Sequence, residues 1–357
     1  MNSGRFKTVF SKRLGALVAV GEHASSQGKA NGAAAGAAFA GRDWLGMAGR
    51  YVGTVTASFA VVSLAWAGPV GTTALPTGGQ VAQGAAAISQ AGAVMNINQS
   101  TAKAVLNWNT FDIGQNAKVN ITQPGADAVM LNRVTSANPS QILGQLNANG
   151  QVVLVNPNGI LFGKDGSVNA NSFTASTLGI TDANFMAGNN QFERNGSTAA
   201  VVNQGSIKTT GGYVALLGAS VSNEGSIQTQ GGAVYLAAAE TIQIPVSGSG
   251  RIKLELSPSR INAAVSNAKG GTIVTEGGQV YMQAAALNNA VASIIQSGSI
   301  DTTGEQGGAV HLLADGGNIK VDGSITANST GKDEQGRQRK GGDIVIGRDE
   351  ETGVLAR

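Results

Sequence analysis

Asn203-Gln204-Gly205-Ser206-Ile207, followed by Gly211-Gly212-Tyr213-Val214-Ala215-Leu216, is the stretch that decides the fold, because the chain repeats it. Twenty residues later come Asn223-Glu224-Gly225-Ser226-Ile227 and Gly231-Gly232-Ala233-Val234-Tyr235-Leu236. Two further copies are Lys269-Gly270-Gly271-Thr272-Ile273 with Gly277-Gly278-Gln279-Val280-Tyr281-Met282, and Gln296-Ser297-Gly298-Ser299-Ile300 with Gly307-Gly308-Ala309-Val310-His311-Leu312. A last copy pairs Val321-Asp322-Gly323-Ser324-Ile325 with Gly341-Gly342-Asp343-Ile344-Val345-Ile346. Each unit reads as short strand, turn, short strand, with apolar residues at alternate positions. One unit is too small to bury its apolar side, and stacking successive units closes a continuous core. Glycines mark corners where coils pass closely, and the recurrent Asn at the turns is placed to form side-chain ladders along the stack.

The expected fold class is therefore all-β: a right-handed parallel β-helix (solenoid) with an N-terminal cap and a projecting β-hairpin, preceded by a helical signal peptide. At about 4.8 Å per coil and about ten coils the rod is roughly 50 Å long. Composition agrees: 52 glycines, 4% aromatics and 13% charged residues beside 42% hydrophobic ones fit a core of small and β-branched side chains in short segments. A disordered chain is more charged and less apolar. The interval between the second and third copies is doubled, and its extra length holds Ile242-Gln243-Ile244-Pro245-Val246 and Arg251-Ile252-Lys253-Leu254-Glu255-Leu256 around Gly248-Ser249-Gly250. That pattern predicts the hairpin over 242–256. Gly78 to Ile97 has the alternation and the position of the cap, which a solenoid needs to shield its open end. The charged run Lys332 to Lys340, with Gly331 and Gly336, predicts a solvated loop.

The first 67 residues differ from the rest. They carry seven basic residues against two acidic ones, and the remainder carries seventeen against nineteen, so the net charge of +3 belongs to the leader. A nucleic-acid-binding body is not indicated. Val52 to Trp66 is a run of apolar and small residues after Arg50, too short for a membrane span and of the length of a signal-peptide core. Ala65-Trp66-Ala67 supplies the small residues of a cleavage site, with Gly68 as the mature N-terminus. Ala30 to Ala40 is a Gly/Ala spacer. The domain reading is 1–67 as a cleaved extended signal peptide, 68–200 as the cap and first coils, and 201–357 as repeats with the hairpin.

Upstream of the repeats, Val152 to Val155 runs into Asn156-Pro157-Asn158-Gly159-Ile160 and restarts as Leu161-Phe162-Gly163. Proline fixes φ, Asn tolerates left-handed geometry and Gly accepts it freely, so the strand must turn sharply here. Around it lie Asn107-Trp108-Asn109-Thr110-Phe111-Asp112-Ile113-Gly114, Leu131-Asn132-Arg133-Val134-Thr135-Ser136, Asn138-Pro139-Ser140, Gly144-Gln145-Leu146 and Asn171-Ser172-Phe173-Thr174-Ala175-Ser176-Thr177-Leu178. In this order the segments resemble the two-partner secretion domain at the head of filamentous haemagglutinins and high-molecular-weight adhesins. The resemblance covers Ala82 to Leu178 strongly and the repeats more loosely. Phe6 to Lys29 resembles the extended signal-peptide region of very large secreted adhesins and autotransporters.

The resemblance implies a secreted, cell-surface exoprotein that leaves the cytoplasm through the Sec machinery, loses its leader to signal peptidase, and crosses the periplasm. There the POTRA domains of a cognate outer-membrane β-barrel transporter engage it while it is extended, and it folds outside. A chain without cysteine suits that route, because no disulfide traps it on the way. Asn156, Pro157, Asn158, Gly159 and Ile160, with Asn138 and Pro139, are the residues expected to carry recognition; an obligatory corner is the other reading, and both can hold. The chain lacks a second Asn-Pro-Asn-Leu motif and sits nearer the high-molecular-weight adhesin branch, which leaves the other half of the transporter signal unassigned. Relatives continue further with more repeats, so a truncated product or fragment is expected, with a host glycan or cell-surface receptor as a further partner.

Catalysis is not expected. His311 is the only histidine after the leader and lies in an alternating strand, no G-x-S-x-G elbow accompanies it, and HExxH, P-loop and EF-hand patterns are absent from the sequence. No cofactor or metal is called for. Two alternatives remain: a secreted polysaccharide-degrading β-helix enzyme, whose paired carboxylates the dispersed acids here do not supply, and the delivery stalk of a contact-dependent toxin.

Overall fold

The computed structural model describes residues 6–11, 16–21, 68–244, 254–287 and 289–347. The chain divides into two compact units, Met1–Val61 and Val62–Arg357. In the first, Phe6–Ser11 and Ala16–Gly21 pair as antiparallel strands, where a helical leader was expected. The apolar run 52–66 and the cleavage-site residues Ala65 and Ala67 lie outside the described residues.

In the second unit the repeats become coils of a three-sided β-helix. One coil runs Ala200–Asn203, Ser206–Thr209, Val214–Gly218, and the next runs Ser220–Asn223, Ser226–Thr229, Ala233–Ala238. Each strand pairs in parallel with its counterpart one coil away. The Ser206–Thr209 strand belongs to a ten-stranded first face, the Val214–Gly218 strand to a ten-stranded second face, and the Ala200–Asn203 strand to a seven-stranded third face. The third strand of each coil is what the repeat pattern did not separate. In these two coils it is four residues long, holds one fully core-facing apolar residue (Val201 or Val221), and ends in the Asn of the turn, so it has no period of its own to read.

Register keeps like side chains in columns. Ile207, Ile227, Ile273, Ile300 and Ile325 lie opposite one another along the first face, and Val201, Val221, Val265 and Ile294 along the third. The second face adds Leu216, Leu236, Met282 and Leu312, and these columns make one continuous core. Close approach of the coils depends on glycine at one corner. A Cβ on Gly225 would stand 2.2 Å from the carbonyl oxygen of Gly205 in the coil before, and Gly205, Gly298 and Gly323 repeat that contact.

Buried amides run beside the core. Asn203 Nδ2 donates to Asn223 Oδ1 at 2.8 Å, Asn223 Nδ2 to Asn267 Oδ1 at 2.8 Å, and Asn267 Nδ2 to Gln296 Oε1 at 2.9 Å. Each also reaches a backbone carbonyl of the next coil, at 3.3 Å for Asn203 to Ser226. A second ladder, Asn169 to Asn147 to Asn120 to Asn96, lines the outer side of the first face. The ladders expected from the recurrent Asn are present.

Antiparallel strands close the N-terminal end. Gln80–Gln83 pairs with Lys103–Trp108, and Ala86–Ala91 with Val94–Gln99, so each ten-stranded face ends on a reversed strand at the expected cap. Trp108 and Phe111 plug the core beneath it in an edge-to-face pair 5.5 Å apart, and Trp108 Nε1 donates to the buried Asn132 Oδ1 at 3.0 Å. A Cβ on Gly79 would stand 2.4 Å from the Trp108 ring, which is why that crossing is glycine.

The hairpin forms as predicted, with Thr241–Ile244 antiparallel to Glu255–Ser257. Its tip, including Gly248 to Gly250, lies outside the described residues. Instead of projecting, it gains a third strand, Asn190–Glu193, from an earlier insertion, and lies on the outer side of the second face. A short helix, Asp182–Ala187, belongs to the same cover. Together Ile180, Phe185, Phe192, Ile242, Ile244 and Leu254 bury Val105, Leu131, Val153, Leu217, Tyr235 and Tyr281. Strands of the second face are apolar on both sides for this reason, and a free-standing hairpin would have left that stripe wet.

Removing one rung tests the ladder. Asn223→Ala leaves Asn203 and Asn267 each short of a partner in a dry interior and is expected to lower stability by about 2–4 kcal/mol, read as a shift of the urea midpoint; a loss within error would make the amide column incidental. Gly225→Ala should destabilise by about 2 kcal/mol or more through overlap with Gly205, whereas Gly125→Ala, which has nothing within 4 Å of its new Cβ, should leave the same midpoint in place.

Candidate functional site

The residues singled out in Asn156-Pro157-Asn158-Gly159-Ile160 form the corner between Gln151–Val155 on the second face and Ile160–Phe162 on the third. Asn138-Pro139 forms the equivalent corner one coil earlier, between Val129–Val134 and Ser140–Ile142. Stacking therefore brings the two sets together. Asn156 is fully buried, and its Nδ2 donates to the Asn138 carbonyl at 2.9 Å and to Ser140 Oγ at 3.0 Å. Its Oδ1 accepts from the Asn158 backbone N–H at 3.0 Å, an Asx-turn that sets the bend. The Gly159 N–H closes the turn on the Asn156 carbonyl at 3.1 Å, with Gly159 at φ 121°, a conformation that L side chains rarely adopt.

Asn158 Nδ2 reaches back to the Ser136 carbonyl at 2.8 Å. The two Asn side chains thus hold two different carbonyls of the same preceding corner, and neither is replaceable by an apolar residue without orphaning a backbone group. Ile160 points into the core. Pro157 and Asn138 stand exposed at the surface of the corner, and Asn158 and Pro139 are half-buried. Gly68, the residue expected at the mature N-terminus, is exposed, and its carbonyl accepts from Gln141 Nε2 at 3.5 Å.

Residues that the sequence did not single out complete the site. Ser197 Oγ donates to the Pro157 carbonyl at 2.6 Å from the loop after the first insertion. Three residues before it, Arg194 makes a two-pronged ion pair with Glu240, at 2.8 and 3.2 Å, that ties the first insertion to the start of the hairpin. Arg133 donates to the Ile180 carbonyl at 2.7 Å and pairs with Asp182 at 2.7 Å, and Lys103 Nζ donates to the carbonyls of Phe185 and Met186, at 3.3 and 2.9 Å, at the end of the short helix. One signal for the corner pair was legible: Asn-Pro occurs twice at an interval of 18 residues, close to the 20 of the repeats. Nothing in the sequence pointed to Ser197.

Beside the corner, Asp112 accepts the Gln141 N–H at 2.8 Å; burial raises its pKa and that hydrogen bond pulls it back. His311 is stacked flat on Tyr281, 4.6 Å between centroids, at the end of a column with Tyr235 and Tyr213. Burial raises the pKa of the Tyr213 and Tyr235 hydroxyls, with the neighbouring tyrosines adding to the shift at Tyr235. Among the described residues there is no group of three or more His, Asp or Glu side chains placed to hold a metal ion.

Asn156→Asp tests the buried donor. The change replaces two donated hydrogen bonds by a carboxylate facing the Asn138 carbonyl and should cost about 3 kcal/mol at neutral pH. Burial beside an acceptor raises the pKa of the introduced carboxyl in the folded state. The folded form is then favoured by protonation, and the deficit should shrink as pH falls from about 7 towards 4. Urea midpoints of the mature chain at both pH values check this; an equal deficit at both would mean the side chain had left the corner.

Known proteins share this outline. The family model of the TPS secretion domain matches residues 72–255, and that of the extended signal peptide of type V secretion systems matches residues 1–47. A heme/hemopexin-binding protein of Haemophilus influenzae strain Rd is 39% identical over 135 residues, and a second of that name from Haemophilus influenzae is 38% identical over 111 residues. These matches span 37% and 31% of this chain but only 15% and 12% of those relatives. Among solved structures, the HMW1 secretion domain from Haemophilus influenzae is similar at a TM-score of 0.61 and 32% identity, over 77% of each chain. An extended signal peptide joined to such a domain marks export by Sec, through the periplasm, to the cell surface. A secretion domain of this type also implies a cognate outer-membrane transporter. On the match across half its length and the accord of fold, the chain belongs to the two-partner secretion domain family.

Proposed function

We propose that the POTRA domains of the cognate transporter read the stacked corners Asn138-Pro139 and Asn156-Pro157-Asn158-Gly159-Ile160, and that closure of the coils outside the cell then withdraws them. The observation that supports this most is the double use of the Asn side chains. In the folded chain Asn156 and Asn158 spend their amides on the carbonyls of Asn138 and Ser136. In an extended chain the same amides and the backbone around them are free to pair with another protein. Strand addition to a sheet edge fits such a segment, with main-chain bonds supplying affinity and alternate side chains selectivity.

Folding then opposes return through the transporter. Each new coil adds a row of backbone hydrogen bonds and a layer of core, and no nucleotide drives export across the outer membrane. A non-catalytic passenger is the reading that accords with the chemistry: His311 is used in ring stacking, and the acids with clear roles, Glu240 and Asp182, hold the cover in place. Binding of a host glycan or receptor would belong to the exposed coil surfaces.

Co-expression of the full chain with its transporter tests recognition apart from stability. Asn156→Ala and Asn158→Ala should each lower the amount in the medium several-fold more than Asn223→Ala, which weakens the same fold at a distance from the corner and serves as the control matched by urea midpoint. Leader removal should be unaffected in all three. Equal secretion of the corner variants and the ladder variant would reduce the motif to a bend.

A further inference from the structure

Corners between the first and second faces are short along most of the repeat region. Four residues (210–213) separate Thr209 from Val214, three (230–232) separate Thr229 from Ala233, and four (275–278) separate Val274 from Gln279. The interval grows to seven (302–308) before Ala309 and to sixteen (327–342) between Thr326 and Asp343. Six of the nine residues from Lys332 to Lys340 are charged, in a chain that is 13% charged. Residues 334–341 are all exposed, the longest such run among the described residues. The next longest, 80–85 at the cap, contains no Lys or Arg.

Residues 332–340 are held by bonds within the loop itself: the Asp333 and Arg339 N–H groups donate to the carbonyls of Arg337 and Gly331 at 2.8 and 3.0 Å, and Gln338 Nε2 donates to the Ser329 carbonyl. Arg337 Nε pairs with Asp333 Oδ2 at 2.8 Å, and the backbone N–H groups of Gln335 and Arg337 donate to Asp333 Oδ1 at 2.9 Å. Arg339 Nε donates to the Lys332 carbonyl at 2.9 Å. The Arg337 side chain is 74% exposed, and an ion pair so open to water adds little. Opening the loop therefore costs far less than opening a coil, where every strand is bonded on both edges. Lys118 and Lys208, by contrast, sit in strands paired on both sides.

Beyond the loop, Asp343–Ile346 pairs with the 309–312 stretch alone among the described strands, and its Ile344 and Ile346 are 46% and 47% exposed. The strand is thus held by one ladder and a thin apolar contact. At this end of the described stack the strand is therefore weakly held.

We propose that Arg337-Gln338-Arg339-Lys340 is a processing site for an Arg/Lys-directed serine endoprotease, and that the cut releases the residues beyond it from the stack. Three basic residues in four positions offer such an enzyme three choices for the carboxylate-floored pocket that selects its substrates. Water is the only co-reactant: the peptide C–N bond breaks, the carbonyl carbon gains hydroxyl, and the leaving amine gains the proton. Release of 343–346 takes one partner from the 309–312 stretch, which stays paired with Gln279–Ala285, and the coils before it keep both ladders and survive the cut.

Limited digestion of the folded mature chain with trypsin as the probe, with intact mass and N-terminal sequencing as readouts, tests both halves. The first new termini should be Gln338, Lys340 or Gly341, and the Arg337→Gln/Arg339→Gln/Lys340→Gln variant should lose that first cut roughly tenfold or more in rate, since cleavage tracks how often the segment opens. A first cut after Arg251, Lys253, Arg260 or Lys269, or an unchanged rate in the variant, overturns the site. Gel filtration of the cut protein should separate the C-terminal piece from the body; co-elution overturns the release.

Discussion

Parallel hydrogen bonding of each coil to the next, in strict register, is the constraint on which everything else in this molecule rests. No coil buries its own core, so each side chain is stable only because a like side chain stands one coil above and below it. The isoleucine column of the first face and the valine column of the third are the apolar form of that rule. The amide column Asn203, Asn223, Asn267 and Gln296 is its polar form. A slip by one residue would turn the apolar columns outward and orphan the amides together. Polar and apolar columns therefore specify the same register, and the glycine corners permit the close approach that the register demands.

The cover adds a second constraint. The outer side of the second face carries Val105, Leu131, Val153 and Tyr235, which a bare solenoid would expose. Two insertions, far apart in the chain, cover it only when they meet, and they meet through the strand pair Asn190–Glu193 with Thr241–Ile244 and the Arg194–Glu240 ion pair. Arg133 and Lys103 hold the short helix of the first insertion over the early coils. The cover reaches the Asn156 corner as well, through Ser197 and Pro157. The cover is complete only when both insertions are in place. That couples the proposed recognition corner to segments that lie after it in the chain.

What the sequence by itself determined was the parallel stack: copies of Asn-x-Gly-Ser-Ile and Gly-Gly-x-Val at near-coil spacing, apolar at alternate positions, allow no compact globule. The cap at Gly78 to Ile97, the hairpin around 242–256, the solvated loop at 332–340 and the bend at Asn156 to Ile160 were legible too, because each depends on local alternation or on residues with restricted φ. The tertiary structure alone decided the third face, whose strands are too short to carry a period, and the fate of the hairpin, whose apolar side could be placed only once the outer stripe of the second face was known. It also decided the partners of Asn156 and Pro157, since Asn138 and Ser140 meet Asn156, and Ser197 meets Pro157, through stacking and insertion and not through chain order. Local chemistry sets bends and alternation over a few residues; which surfaces meet is set by the distance between coils, and that distance exists only in the folded stack.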